Sequence, residues 1–190
     1  MKRIWCAAGA GALILALCAG AARAMLLVSM TTVEMVKASE WVVRGTVESV
    51  RSDWNESHSM IYTRTTLRVT ECYGPKPKQC PKTLVVRQPG GRVGTRVCAV
   101  PGMPRYRVGE DVVVFLERAR SVGSGKGAPE YQPVGAVQGK YTVTADGRAV
   151  RDLTGAWFPK QDTPRSETAL DDLVKEIEDA FERLRERDDQ

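Results

Sequence analysis

Ile61-Tyr62-Thr63-Arg64-Thr65-Thr66-Leu67-Arg68-Val69-Thr70-Glu71-Cys72-Tyr73 is the stretch that decides the fold. Ile61, Thr63, Thr65, Leu67 and Val69 alternate with Tyr62, Arg64, Thr66, Arg68 and Thr70. A period of two sustained that far belongs to a long β-strand with one face buried and one face wet. Upstream, Trp41 to Val50 is again β-rich, with Trp41, Val43, Gly45 and Val47 on one apolar side. Thr31-Thr32-Val33-Glu34 precedes it with the spacing of a capping box, which predicts a short helix ending near Ser39. A polar connection holding Asp53, Trp54, Asn55 and His58 joins the two strands.

Downstream, Thr83 to Gln88 predicts a third strand, and Pro89-Gly90-Gly91 a turn. Arg92 to Val97 alternates once more, with Val93, Thr95 and Val97 on one side. Val112-Val113-Val114-Phe115-Leu116 is apolar on both faces and predicts a central, buried strand. Ser121 to Pro129 reads as a Gly-rich loop. Strands near Tyr131–Val137 and Lys140–Thr144 follow, then an Asp146-Gly147 hairpin turn with Arg148 to Arg151 returning. From Thr168 the period changes. Leu170, Leu173, Val174, Ile177, Phe181 and Leu184 fall on one helical stripe, with Thr168 and Asp171 spaced as a second capping box. Asp171 with Lys175, and Asp179 with Arg183, are supportive pairs four apart.

Short strands with uneven loops, no βαβ alternation and one terminal helix predict a mainly β protein. The expected form is an OB-like closed or partly closed antiparallel barrel with a short N-terminal helix and a C-terminal amphipathic helix, and a sandwich is the alternative. The expected organisation is a signal peptide over 1–24, a β-barrel domain over 25–160, and a helix within 161–190 packed on it.

The first segment carries its own message. Met1-Lys2-Arg3 is basic, Ile4 to Ala22 is apolar and uncharged, and Ala22-Arg23-Ala24 has small residues where a signal peptidase reads. The run is diluted by Ala and Gly, unlike a membrane span. Leu15-Ala16-Leu17-Cys18 has part of a lipobox, but Leu17 is bulky where a small residue is needed before the Cys, so cleavage after Ala24 is the expectation. The protein is then secreted or periplasmic, with no transmembrane anchor.

Composition follows from that cut. The chain has 28 Lys+Arg and 23 Asp+Glu, and the leader holds Lys2, Arg3 and Arg23, so the remainder carries 25 − 23 = +2. Near neutrality argues against a nucleic-acid partner. The charge is uneven: residues 40–110 hold 12 Lys/Arg against 6 Asp/Glu, and residues 160–190 hold 6 against 11. A basic β region of this kind suits an acidic partner, or simply a solvated face. Its candidate partner-binding residues are Arg64, Arg68, Arg87, Arg92, Arg105 and Arg107.

Cys6 and Cys18 leave with the leader, and Cys72, Cys80 and Cys98 remain in an oxidising compartment where disulfides are the default. Cys72 and Cys80 bracket a turn-rich connection, and a bridge across it is geometrically reasonable. Cys98 is then the odd thiol, either buried and inert or open to an intermolecular bond. Without CxxC spacing, and with His58 alone and remote, no zinc site is expected. Gly123-Ser124-Gly125-Lys126-Gly127 lacks the spacing and the Ser/Thr of a phosphate loop. Glu110-Asp111 and Asp171-Asp172 sit at a turn and a helix start, ordinary places for carboxylates. Trp41, Tyr62, Tyr106 and Tyr131 lie near arginines in sequence, a mixture suited to a binding face or, on strands, to the core. No cofactor, metal or catalytic residue is assigned.

Ala38-Ser39-Glu40-Trp41-Val42-Val43-Arg44-Gly45-Thr46-Val47, the long strand ending Thr70-Glu71-Cys72-Tyr73-Gly74, and Val108-Gly109-Glu110-Asp111 before the apolar strand form a pattern over about residues 38–117. It resembles the secreted OB-type barrels of the netrin and tissue-inhibitor-of-metalloproteinase group. The resemblance implies the fold alone. Those inhibitors place a mature N-terminal Cys over the protease zinc, whereas cleavage here leaves Met25 and no Cys precedes Cys72 in the remainder. The functional expectation is an exported, non-catalytic module that recognises a protein or cell-envelope partner. The alternatives are a small hydrolase using His58 with a neighbouring Ser, and a structural envelope component dimerised through Cys98.

Overall fold

The computed structural model describes residues 24–74, 79–119, 128–159 and 163–188. The expected signal segment before Ala24 and the core of the Gly-rich loop, Ser121 to Gly127, lie outside the described residues. The protein is mainly β. Its strands are β1 (Met25–Leu26), β2 (Trp41–Trp54), β3 (Ile61–Tyr73), β4 (Thr83–Pro89), β5 (Gly91–Val93), β6 (Arg96–Cys98), β7 (Asp111–Arg118), β8 (Glu130–Pro133), β9 (Lys140–Val143), β10 (Arg148–Val150), β11 (Ala156–Trp157) and β12 (Glu167–Ala169). Helix α1 spans Thr32–Ala38 and helix α2 Leu170–Asp188.

The main sheet runs β12-β10-β9-β7-β2-β3-β4-β8, and β8 also pairs with β7. That second pairing closes β2, β3, β4, β8 and β7 into a ring. The closing strand is short, so the ring is only partly closed, which is the looser of the two expected forms. Within the main sheet one contact departs from the all-antiparallel expectation: β4 and β8 run parallel, with Val85 beside Glu130 and Val86 beside Tyr131.

Period two sorts the residues as the sequence implies. Val43, Val47, Leu67, Leu84, Val86, Val112, Val114 and Leu116 point into the ring, with Tyr106 and Tyr131 among them. The reverse faces of β2 and β7 are also apolar, because a second layer covers them. Val42, Val113 and Phe115 meet Met35 and Val36 of α1 and Leu173, Ile177 and Ala180 of α2. This is why β7 is apolar on both sides and has no exposed residue between Val112 and Leu116.

Local chemistry sets the element ends. The capping box at α1 forms: Thr31 Oγ1 accepts from the Glu34 backbone N–H while the Glu34 carboxylate accepts from the Thr31 backbone N–H. The second expected box does not. Thr168 is a buried residue of β12, paired with Ala149, and α2 starts at Leu170. The strand expected over Arg92–Val97 is two short strands around a turn, with Gly94 left-handed at φ 56°. The strand expected over Tyr131–Val137 ends at Pro133 and passes into a 3₁₀ turn over Ala136–Gly139. Gly45 sits where β2 and β3 slip register, and a Cβ there would stand 2.5 Å from the Arg68 carbonyl oxygen. Only glycine permits that approach.

The disulfide joins Cys72 and Cys80 with Cα atoms 5.8 Å apart, and Cys98 is free. Such a bond is characteristic of an oxidising compartment. No helix among the described residues is long and apolar enough to cross a membrane.

Candidate functional site

The two helices cover the outside of β2, β7, β9 and β10 and reach the Tyr73 end of β3, and leave the rest of the outside of β3 and β4 uncovered. The alternation of β3 puts Tyr62, Arg64, Thr66 and Arg68 on that side, and the register does the rest. Arg51 of β2 stands opposite Arg64, and Arg64 stands opposite Arg87 of β4. Three arginines from three neighbouring strands therefore share one row. Like charges directly across a ladder repel, and here a carboxylate answers two of them. Glu130, the first residue of β8, accepts a hydrogen bond from Arg64 Nε on one oxygen at 2.5 Å, and its other oxygen forms an ion pair with Arg87, 3.0 Å from Nε.

Arg87 is the anchor of this arrangement. Only 8% of it is exposed, and its guanidinium lies 4.8 Å from the centroid of the Tyr62 ring. Stacking over the ring and pairing with Glu130 hold a charge in a place where it would otherwise be costly. Arg64, by contrast, keeps nearly half its side chain in water. Arg68 extends the face and pairs with Glu48 at 3.2 Å. The result is a basic surface with Tyr62 beneath the Arg87 guanidinium.

The other expected residues lie elsewhere. Arg92 is exposed on the β5–β6 hairpin, which turns away from β4 at Gly90 and Gly91. Gly91 is pressed against Ser52 and Thr63, where a Cβ would stand 2.4 Å from each hydroxyl oxygen. Arg105 and Arg107 are exposed on the coil before β7, and their backbones serve a buried pair. Lys140 Nζ donates to the Arg105 carbonyl at 2.8 Å, to Glu110 at 2.6 Å and to Thr142 at 2.9 Å. The Arg107 N–H donates to the second Glu110 oxygen at 3.0 Å. Burial lowers the Lys140 pKa, and the Glu110 carboxylate opposes that shift without cancelling it. Of the aromatics, Trp41, Tyr106 and Tyr131 belong to the interior, with Trp41 Nε1 donating to the Tyr131 hydroxyl at 3.2 Å. Tyr62 alone of the four faces outward beside an arginine.

His58 sits in the β2–β3 turn in a left-handed conformation at φ 52°, its ring stacked on Trp54 at 6.3 Å. The neighbouring hydroxyls are organised by Asn55, whose amide nitrogen donates to Ser57 and Ser59, each at 3.0 Å. Among the described residues, no group of three or more His, Cys, Asp and Glu is placed to hold a metal ion. A recess of about 130 Å³ between α1 and α2, lined by Thr32, Val33, Glu176, Asp179 and Arg183, is well below the size of a drug-sized ligand site.

No family model, curated protein or solved structure matches the chain. The arginine face therefore stands on its own geometry. Sequence reading found Arg64 and Arg87 but not Glu130, which follows the Gly-rich loop with no local signal. Only the β4–β8 pairing brings it to them.

Proposed function

We propose that this chain is an exported, non-catalytic binding module that recognises an acidic protein segment on the outer face of β2, β3 and β4. The observation that carries the reading is the Arg64–Glu130–Arg87 bridge with Arg87 stacked on Tyr62. Glu130 orients the two guanidinium groups while Arg51 and the exposed part of Arg64 remain free to meet carboxylates, the geometry arginine serves best. The uncovered side of the ring is also where charge complementarity to an acidic partner would be strongest.

Three further features support the reading. Closure of five strands into a ring gives β2, β3 and β4 a continuous outer face on which the arginine row stands. The disulfide and the leader-like first segment support a secreted or periplasmic location. The small net charge outside the leader favours a protein partner over a polyphosphate.

Capture from the exported fraction tests the proposal. Wild-type protein should retain a partner that elutes with salt and is lost from an Arg51→Glu/Arg64→Glu variant of unchanged melting temperature. Equal retention by both proteins would place recognition on another surface.

A further inference from the structure

A second surface is unexplained by the arginine face. Among the described residues seven large apolar side chains are exposed, and four of them belong to one small ribbon: Met25, Leu26 and Val28 at the N-terminal edge, and Trp157 on β11. β1 and β11 pair in parallel, with Leu26 directly beside Trp157, so these two share a face. Leu26 is 64% exposed, Val28 80% and Trp157 55%. Met25 points the other way, and a Cβ on Gly102 would stand 3.0 Å from it.

This is not a fraying end. The Met25 N–H donates to the Gly155 carbonyl at 2.9 Å, and the Leu27 N–H to the Trp157 carbonyl at 3.0 Å. The buried Gln138 then clamps the next residues, donating to the Val28 carbonyl and accepting from the Met30 N–H, both at 2.9 Å. Directed hydrogen bonds thus hold Leu26, Val28 and Trp157 out into water. An apolar cluster held in that way marks a contact surface.

We infer that the Leu26–Val28–Trp157 edge rests on a lipid bilayer surface. Two observations select this occupant. The edge begins at Leu26, four residues after Ala22, where the uncharged apolar run of the first segment ends, so cleavage after Ala24, on which this inference rests, would leave Leu26 second from the new N-terminus and beside the bilayer. It is also far smaller than the roughly 20–30 residues a side that a stable protein interface uses. Insertion into a bilayer needs no such area, because each apolar side chain contributes separately and tryptophan favours the interfacial layer.

The test uses exported protein and sucrose-loaded vesicles of phosphatidylcholine, with and without phosphatidylglycerol. Wild-type protein should sediment with both, and its tryptophan emission should shift to the blue. Leu26→Ser/Trp157→Ser should lower the vesicle partition at least tenfold at an unchanged melting temperature, and Trp157→Phe alone should abolish the shift. Equal partition of wild type and variant would overturn the inference. So would binding that requires phosphatidylglycerol and ignores these substitutions, since that result assigns the contact to the arginines. A Leu26- and Trp157-dependent dimer without vesicle binding would assign the patch to a second copy.

Discussion

Replacing Glu110 by Gln isolates a buried ion pair that ties the approach coil to the sheet. Lys140 and Glu110 keep only 6% and 14% of their side chains exposed, at an Nζ–Oε1 distance of 2.6 Å. Removing one partner of a buried pair costs about 3–5 kcal/mol, because the other charge stays behind without its counter-charge. Gln retains an acceptor for Lys140 and Thr142, so the lower end applies, about 3 kcal/mol. For a chain of this size that corresponds to a fall in Tm of roughly 6–12 °C. The loss should depend on pH. Without the carboxylate, Lys140 holds its proton less well when folded than when unfolded. The deficit is therefore full below the lowered folded-state pKa and shrinks as pH rises through it. Urea titration of Glu110→Gln, Lys140→Met and the double variant gives the coupling. The double variant should lie within about 1 kcal/mol of wild type, since both charges are then gone. Additive losses, or a Glu110→Gln variant within about 0.5 kcal/mol of wild type, would refute the pairing.

Other perturbations follow from the same geometry. Cys72→Ser/Cys80→Ser opens a bridge with a sequence separation of 8. It should lose about 2.5 kcal/mol by the loop-entropy relation, and reductant should reproduce the loss in the wild type but not in the variant. Glu130→Gln removes the carboxylate that faces both arginines and should cost more in urea titration than Arg64→Ala, which at the wetter end of the bridge should cost under about 1 kcal/mol. Gly45→Val drives a Cβ into the Arg68 carbonyl. It should cost about 3 kcal/mol or prevent folding, read from the yield and melt of exported protein. Tyr73, Tyr106 and Tyr141 have pKa values raised above the ordinary 10.0, burial being the largest cause in each. The unfolded chain ionises them first, so stability should fall as pH rises past 10.0, and tyrosinate absorbance should lag until unfolding.

Local physics was legible and long-range pairing was not. The alternation of Ile61 to Tyr73 needs only the pleat, and the capping box at Thr31 and Glu34 needs only one helical turn. The Cys72–Cys80 bridge needs only a short hairpin. Arg92 to Val97 misled because alternation survives a tight turn: Gly94 reverses the chain while Val93 and Val97 keep their spacing. Thr168 misled because a capping spacing says nothing about a neighbour in β10 that claims its backbone first. At the site, period two put Arg64 on the wet face, yet Arg92, Arg105 and Arg107 share only its sign of charge. Glu110 read as an ordinary turn carboxylate, and its partner Lys140 lies thirty residues on, across a strand pairing.

The docking face is tested most directly by a photo-crosslinking residue placed at Thr66, between Arg64 and Arg68, in exporting cells. A discrete adduct should form there and vanish when Arg64→Glu is added, while the same probe at the exposed Glu178 of α2 forms none. An adduct from Glu178 alone, or one from Thr66 that persists with Arg64→Glu, would contradict recognition by the arginine face.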